Sequence, residues 1–200
     1  RTRKEEGLFV AEGIKMFREA PPERIEKIYL GASFAEKGIW REILREKGLE
    51  EKAESLTEVV EDKVFKSLSD TVTPQGVLCL IRIKESTLEE MIPEEKPALL
   101  MILEDLQDPG NLGTILRTGE GAGVTGIILS KNSVDIYNPK VIRSTMGSVY
   151  RVPFCYTSSI QEEILPWLRE KKITGYAAHL EGKNSYDQED YTKAAAFFIG

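Results

Sequence analysis

Apolar and polar positions alternate in some stretches of this chain and recur every three or four residues in others. Over residues 8–83 the two rhythms take turns. "FVAEG" alternates and runs into the helical spacing of "IKMFREA"; "IEKIYLG" alternates again. "FAEKGIWREILREKG" predicts one amphipathic helix ending at Gly48, and "TEVVEDKVFKSLSD" a further helix. "GVLCLIRI" predicts a strand. The pattern therefore predicts a compact α/β unit over residues 1–84.

Residues 84–97, "KESTLEEMIPEEKP", break the rhythm. The stretch is charged and holds two prolines, which marks residues 85–97 as a linker or linker helix. From residue 98 the strand-like runs become almost wholly apolar: "ALLMILEDL", "TGIILS", "VPFCY", "ITGYAAHL" and "AAFFIG". Helical spacing separates them at residues 111–122, 138–149 and 159–171. Apolar strands alternating with helices predict a parallel sheet covered on both faces over residues 98–200. In such sheets ligands bind beyond the carboxyl ends of the strands. Here those ends are residues 104–111, 130–138, 178–182 and Gly200.

Composition narrows the class. The chain has 200 residues, 41% hydrophobic and 30% charged, which fits a soluble globular protein of one or two domains. No apolar run is long enough to span a bilayer. The opening "RTRKEEGLF" has no signal-peptide core and no initiator methionine, so the numbering is expected to begin inside a longer chain. Cys79 and Cys155 have no CxxC or histidine companion, and are read as buried thiols of a reducing cytoplasm. A net charge of -6 argues against nucleic acid as a partner. Yet residues 130–151 set Lys131, Lys140, Arg143 and Arg151 against a single acid, Asp135. Such a local basic strip suits a phosphate backbone.

Chemistry concentrates in two helices. "DPGNLGTILRTGEGAG" places glycines where each costs about 1 kcal/mol against alanine. Asn111 is expected to cap this helix. Gly113, Arg117 and Gly121 follow at i, i+4 and i+8, leaving Arg117 on a stripe without neighbouring side chains, while Leu112, Ile115 and Leu116 face the sheet. The plainer alternatives are a surface pair of Arg117 with Glu120 and glycines serving tight packing; a phosphate loop at "GEGAG" lacks the required pattern. The second helix starts at Asn138-Pro139. Lys140, Arg143, Ser144 and Gly147 share one face, fit for phosphate or ribose contact or simply for solvent; Ile142, Met146 and Val149 share another. His179, the only histidine, fits a loop or packing residue better than a lone catalyst.

These residues resemble a family. "DPGN" before "NLGTILR", "GIILSKNSVDIYNPKVIRSTMGSVYRVP" after it and "RKEEGLFVAEG" near the start look like the SpoU (TrmH-class) RNA ribose 2'-O-methyltransferases of the SPOUT superfamily. The resemblance runs along essentially the whole chain. Motif 1 of that class, N-x-G-x-x-x-R, falls on Asn111, Gly113 and Arg117. The resemblance implies a small N-terminal α/β domain for substrate RNA and a C-terminal parallel-sheet domain, trefoil-knotted when complete. It further implies S-adenosyl-L-methionine as cofactor, no metal, structured and ribosomal RNA as substrate, and a homodimer. Arg117 with Asn111 would serve the ribose 2'-hydroxyl near the partner subunit's cofactor. Ala178, His179, Leu180 and Gly200 would meet the cofactor. Lys131, Lys140, Arg143 and Ser144 would meet RNA.

The pattern also departs from the family. Motif 2 reads Gly-Asn-Glu-Gly-x-Gly, and Gly200 would be its first glycine; its glutamate and all of motif 3 are absent. A longer parent chain is the expectation, with the cofactor site incomplete in these residues alone. Two rival readings stay open: a non-catalytic RNA-binding module that kept the fold, and an α/β protein for a small nucleotide, which leaves the N-terminal half unexplained.

Overall fold

The computed structural model describes residues 6–177 and 179–200. Contacts divide the chain into two compact units. One comprises residues up to Lys84 together with Tyr137–Tyr150; the other comprises Glu85–Ile136 and Arg151–Gly200. The segment 137–150, which the apolar pattern assigned to the C-terminal domain, packs with the N-terminal residues.

In the first unit, strands β1 (Leu8–Glu12), β2 (Ile25–Gly31), β3 (Thr57–Val60) and β4 (Val77–Arg82) form one sheet in the order β1-β4-β2-β3. β4 runs antiparallel to β1 and β2, and β2 runs parallel to β3. Phe9, Phe17, Ile28, Leu30, Ile43, Phe65 and Ile81 form much of its core. The Ile14–Glu19 helix follows β1 as expected. Its final carbonyls are held by Lys47, whose Nζ donates to Arg18 O and Ala20 O at 2.6 Å each.

Two expectations here need correction. The helix ending at Gly48 is two pieces, Ala32–Ala35 and Ile39–Glu46, because Gly38 between them takes a left-handed backbone (φ 72°). "TEVV" is not helical but strand β3, and the helix starts later, at Asp62–Leu68. Two adjacent valines suit a pleated surface, and pairing with β2 overrides the helical spacing.

The Pro139–Thr145 helix also belongs to this unit. Asn138 caps it, its side chain accepting from Lys140 N at 2.9 Å, with proline at the first position. The expected extent to residue 149 is too long. Met146 breaks the helix with a left-handed φ of 52°, and a short 3-10 turn, Ser148–Tyr150, follows. Gly147 is buried beyond the helix and so leaves the face of Lys140, while Met146 is exposed rather than packed beside Ile142. The segment is stitched to the N-terminal residues by its aromatic rings. Tyr137 lies 4.6 Å from Phe9 between centroids and donates to Lys84 O at 3.1 Å; Tyr150 OH donates to Met16 O at 3.1 Å.

In the second unit, β5 (Leu99–Leu103), β6 (Gly126–Ser130), β7 (Phe154–Thr157), β8 (Thr174–Ala177) and β9 (Ala195–Ile199) form a wholly parallel sheet, ordered β7-β6-β5-β9-β8. Leu100, Ile102, Ile128 and Ala196 pack with Ile160, Ile164, Leu168 and Ile173 to form a core on this sheet. Burial of such residues at roughly 25 cal/mol per Å² is the main stabilising contribution. The stretch at 85–97 is not free. Met91, at the end of a 3-10 turn, is fully buried in this core, and Glu89 accepts from Lys171 Nζ at 2.9 Å and Trp167 Nε1 at 3.3 Å.

Candidate functional site

The loop leaving β5 builds the site. Residues 104–108 cross the carboxyl end of the sheet and start the Pro109–Gly121 helix, two residues earlier than the sequence pattern suggests. The cap is Asp108, not Asn111. Asp108 Oδ1 accepts from Asn111 N at 2.6 Å, and Pro109 supplies a first helical residue that needs no hydrogen bond. Asn111 therefore sits inside the first turn, exposed, its side-chain amide without a hydrogen bond among the described residues. The Asp-Pro pair was the sequence signal for this start, and the following Asn-x-Gly drew attention away from it.

Arg117 is exposed, in the middle of this helix, and no hydrogen bond or ion pair to it occurs among the described residues. The expected alternative partner, Glu120, is engaged elsewhere. Arg151 grips it side-on, Nε to Oε1 and Nη2 to Oε2, the latter at 3.2 Å. Leu112 and Leu116 are buried as expected. The glycine stripe is open on one side only: a side chain at Gly121 would meet nothing, whereas Gly113 is buried. Residues four apart on a helix differ by about 40° in direction, enough to turn Gly113 inward while the long Arg117 side chain reaches out. Gly119 is buried, yet a Cβ there would make only ordinary contacts, 3.4 Å from Met101 Sδ and 3.5 Å from Val124 Cβ.

Under the other side of this helix lies a cavity of about 760 Å³. Leu99 and Met101 of β5, Tyr176 of β8, Phe197 and Ile199 of β9, Thr118 and Gly119 of the helix, and Ala122 at its C-cap line it. Tyr176, Tyr191 and Phe197 form an aromatic cluster there, with centroids 4.9–5.6 Å apart. Thus the Arg117 helix shows the cavity one side, while Arg117 is not among the lining residues.

The cofactor candidates divide. His179 lines the cavity, its Nδ1 accepting from Glu181 N at 3.2 Å. Leu180 is fully exposed and Gly200 is exposed; neither lines the cavity. A Cβ at Gly200 would rest 3.4 Å from Glu104 Cβ, so the chain there passes close to the loop after β5. Ala178 lies outside the described residues. Of the RNA candidates, Lys131 and Lys140 are exposed. Arg143 is half-buried and pairs with Asp70 at 2.9 Å, and Ser144 turns its hydroxyl to Val141 O at 2.8 Å. Lys140, Arg143 and Ser144 share the Pro139–Thr145 helix; Lys131 belongs to the other unit.

The sequence pattern missed the groups that hold the β5 loop in place. Asp105 has a left-handed backbone (φ 49°) and contacts Ser130, which is buried at the end of β6. A buried polar residue closing an apolar strand was the available signal. Both thiols are raised by burial, Cys79 strongly and Cys155 to about 11, and both cysteines are free. No metal-binding group of His, Cys, Asp and Glu occurs among the described residues.

The SpoU rRNA Methylase family matches residues 98–200, and an MRM3-like substrate binding domain matches residues 1–79. The chain is 39% identical over 106 residues to rRNA methyltransferase 3, mitochondrial, of Homo sapiens, covering 51% of this chain and 24% of the relative. It is 26% identical over 148 residues to the 23S rRNA (guanosine(2553)-2'-O)-methyltransferase RlmP of Bacillus subtilis, covering 71% and 54%. The matched part thus spans about a quarter to a half of these relatives' length. Among solved structures, the AdoMet-bound rRNA methyltransferase of Sinorhizobium meliloti superposes with a TM-score of 0.80 at 29% identity, over 99% of this chain and 72% of the other.

Proposed function

Because the chain belongs to the SpoU rRNA methylase family, we propose that its protein transfers a methyl group from S-adenosyl-L-methionine to a ribose 2'-hydroxyl of ribosomal RNA. The observation that carries this is Arg117: an exposed guanidinium without a partner among the described residues, on the helix that begins at the carboxyl end of β5.

Guanidinium groups keep their proton near neutral pH. We therefore assign Arg117 the stabilisation of the oxyanion that develops as the 2'-hydroxyl gives its proton to solvent water. A planar fork can hold that oxygen and an adjacent phosphate oxygen together. Asn111, six residues earlier and with its side-chain amide unbonded among the described residues, is assigned to orienting the same nucleotide. Lys131, Lys140 and Arg143 are assigned to backbone phosphates and Ser144 to a ribose or phosphate oxygen. For Arg143, a phosphate would replace Asp70.

The bound cofactor supplies an electrophilic methyl group on a sulfonium. The cavity suits such a molecule: aromatic and aliphatic walls fit a purine, and Glu189 on its lining offers a carboxylate to a cation. His179 is our assignment for a cofactor contact in the cavity, and Ala178, Leu180 and Gly200 for contacts with the part of the cofactor that lies outside it. Arg117 is directed away from this cavity on its own helix. That arrangement supports a homodimer in which each Arg117 serves the partner subunit's cofactor. Two free cysteines and a bacterial relative support action in the cytoplasm. Among the described residues no helix is long and apolar enough to cross a membrane.

The test is methyl transfer from tritiated S-adenosyl-L-methionine to ribosomal RNA by the full-length protein. Arg117→Ala should lower turnover by at least about 10²-fold, as loss of one oxyanion donor does, with cofactor binding by calorimetry unchanged. Arg117→Lys should fail as well, because a point charge does not reproduce the fork. Undiminished turnover in Arg117→Ala would overturn the assignment.

A further inference from the structure

The 104–108 loop is held by a small polar network that the apolar pattern of the chain does not announce. Asp105 N donates to Ser130 Oγ at 2.8 Å, and Ser130 Oγ stands 2.8 Å from Asp105 Oδ1. A carboxylate can only accept, so the single Ser130 hydroxyl proton goes to Asp105. Ser133 Oγ, 3.1 Å from Ser130 Oγ, must then donate to it, and it accepts from Leu106 N at 3.2 Å. Every hydroxyl proton in the chain has one direction. Ser130 and Ser133 are both buried, which strengthens such bonds and makes an unmade one costly.

Further bonds close the same seam. Val134 N donates to Leu106 O at 2.7 Å, and the Gln107 amide donates to Asp105 O at 3.1 Å and to Asn132 O at 2.8 Å. Tyr156 of β7 receives Ile136 N and donates to Val134 O, both at 2.9 Å. The carboxyl ends of three neighbouring strands are thereby tied to one another. Asp105 also carries a cost: a left-handed backbone is unfavourable for a residue with a Cβ, though aspartate and asparagine bear it better than most.

Directly after this seam comes Asp108, and then the helix of Asn111 and Arg117. We propose that Asp105 is a positioning residue. Its carboxylate and backbone, locked to Ser130 and Ser133, fix the loop to the end of β6 and so set where the Arg117 helix begins. The proposal rests on the reading of Arg117 as the group that meets the ribose. It accounts for a strained aspartate beside the site, since a helix displaced by about 1 Å costs on the order of a hundredfold in rate.

The variants separate backbone from side chain. Asp105→Asn keeps an acceptor oxygen and tolerance for the left-handed region. Asp105→Gly keeps the backbone freedom and loses the acceptor. Asp105→Ala loses both, and Ser130→Ala removes the opposite partner. Each is measured in the full-length protein in two ways: amide hydrogen exchange over residues 104–112, and steady-state methyl transfer to ribosomal RNA. Asp105→Ala and Ser130→Ala should speed exchange and lower kcat about 10- to 100-fold, with KM for both substrates within about twofold. Asp105→Gly should be intermediate and Asp105→Asn should recover to within about threefold of the native rate. The Asp105→Ala, Ser130→Ala double variant should be no worse than either single one. Exchange that rises while kcat stays, or a loss confined to KM, overturns the proposal. So does an Asp105→Gly variant as active and protected as the native protein. If the native protein transfers no methyl group, the methylation reading falls, and the exchange arm alone decides the clamp: unaltered protection in Asp105→Ala overturns it.

Discussion

Replacing Asp108 by alanine tests how the Arg117 helix is started. Asp108 Oδ1 takes the N–H of Asn111 at 2.6 Å, while the next N–H, of Leu112, already reaches Asp108 O at 3.1 Å. Pro109 has no N–H. The first turn therefore has two donors outside the regular helical ladder, those of Gly110 and Asn111, and the cap satisfies one. Loss of an N-cap side chain costs about 1 kcal/mol, and loss of a negative charge at a helix N-terminus a further 0.3–1 kcal/mol or so. Asp108→Ala should therefore destabilise by about 1–2 kcal/mol, a fall in Tm of about 2–8 °C for a chain of this size. Asp108→Asn should recover most of it. Asn111→Ala leaves the backbone N–H in place and removes only an exposed amide, so it should stay within about 0.5 kcal/mol. Thermal and urea unfolding followed by circular dichroism give the comparison. An Asn111→Ala variant as destabilised as Asp108→Ala would show that Asn111 is the cap after all.

Other substitutions have equally definite outcomes. A methyl group at Gly126 would run into Cβ and Cγ of the fully buried Met91, so Gly126→Ala should lose about 1–3 kcal/mol in urea unfolding, partly restored by adding Met91→Ala. Lys47→Met keeps the aliphatic stem but removes both bonds to Arg18 O and Ala20 O, and should cost about 1–3 kcal/mol in the same assay. Burial raises the Cys155 thiol from an ordinary 9.0 to about 11, so the unfolded chain releases that proton first. Its contribution is whole below about pH 9 and declines as pH rises towards 11; Cys155→Ala should flatten the stability curve over that window. Both thiols should react with iodoacetamide at neutral pH only after unfolding, because the thiolate is the reactive form.

The parallel sheet was legible in the sequence because its strands read as short apolar runs; β5, β6 and β9 stand where "ALLMIL", "GIILS" and "AAFFI" placed them, although only β6 is buried along its whole length. Strand β3 was not, since the period of "TEVVEDKV" is helical and only its pairing with β2 makes it a strand. Arg117 could be singled out because glycines around it violate helix propensity. The partner of Glu120 could not, since Arg151 lies 31 residues further along. Asp105 and Ser130 are ordinary polar letters until a left-handed backbone and a buried strand end bring them together.

The first unit is not continuous in the chain. Its last stretch, Tyr137–Tyr150, supplies the ring that covers Phe9 and the hydroxyl that satisfies Met16 O. On a translating ribosome the end of that stretch lies 66 residues behind Lys84, the difference between positions 150 and 84. At about 5–20 residues per second it emerges roughly 3–13 s after the rest of the unit. During that interval Phe9 lacks its aromatic cover, and the nascent N-terminal sheet offers a natural client surface to a chaperone. For the same reason a gene fragment that stops at Lys84 encodes an unfinished unit, and the smallest autonomous piece of this half requires residues 137–150 to be grafted back on.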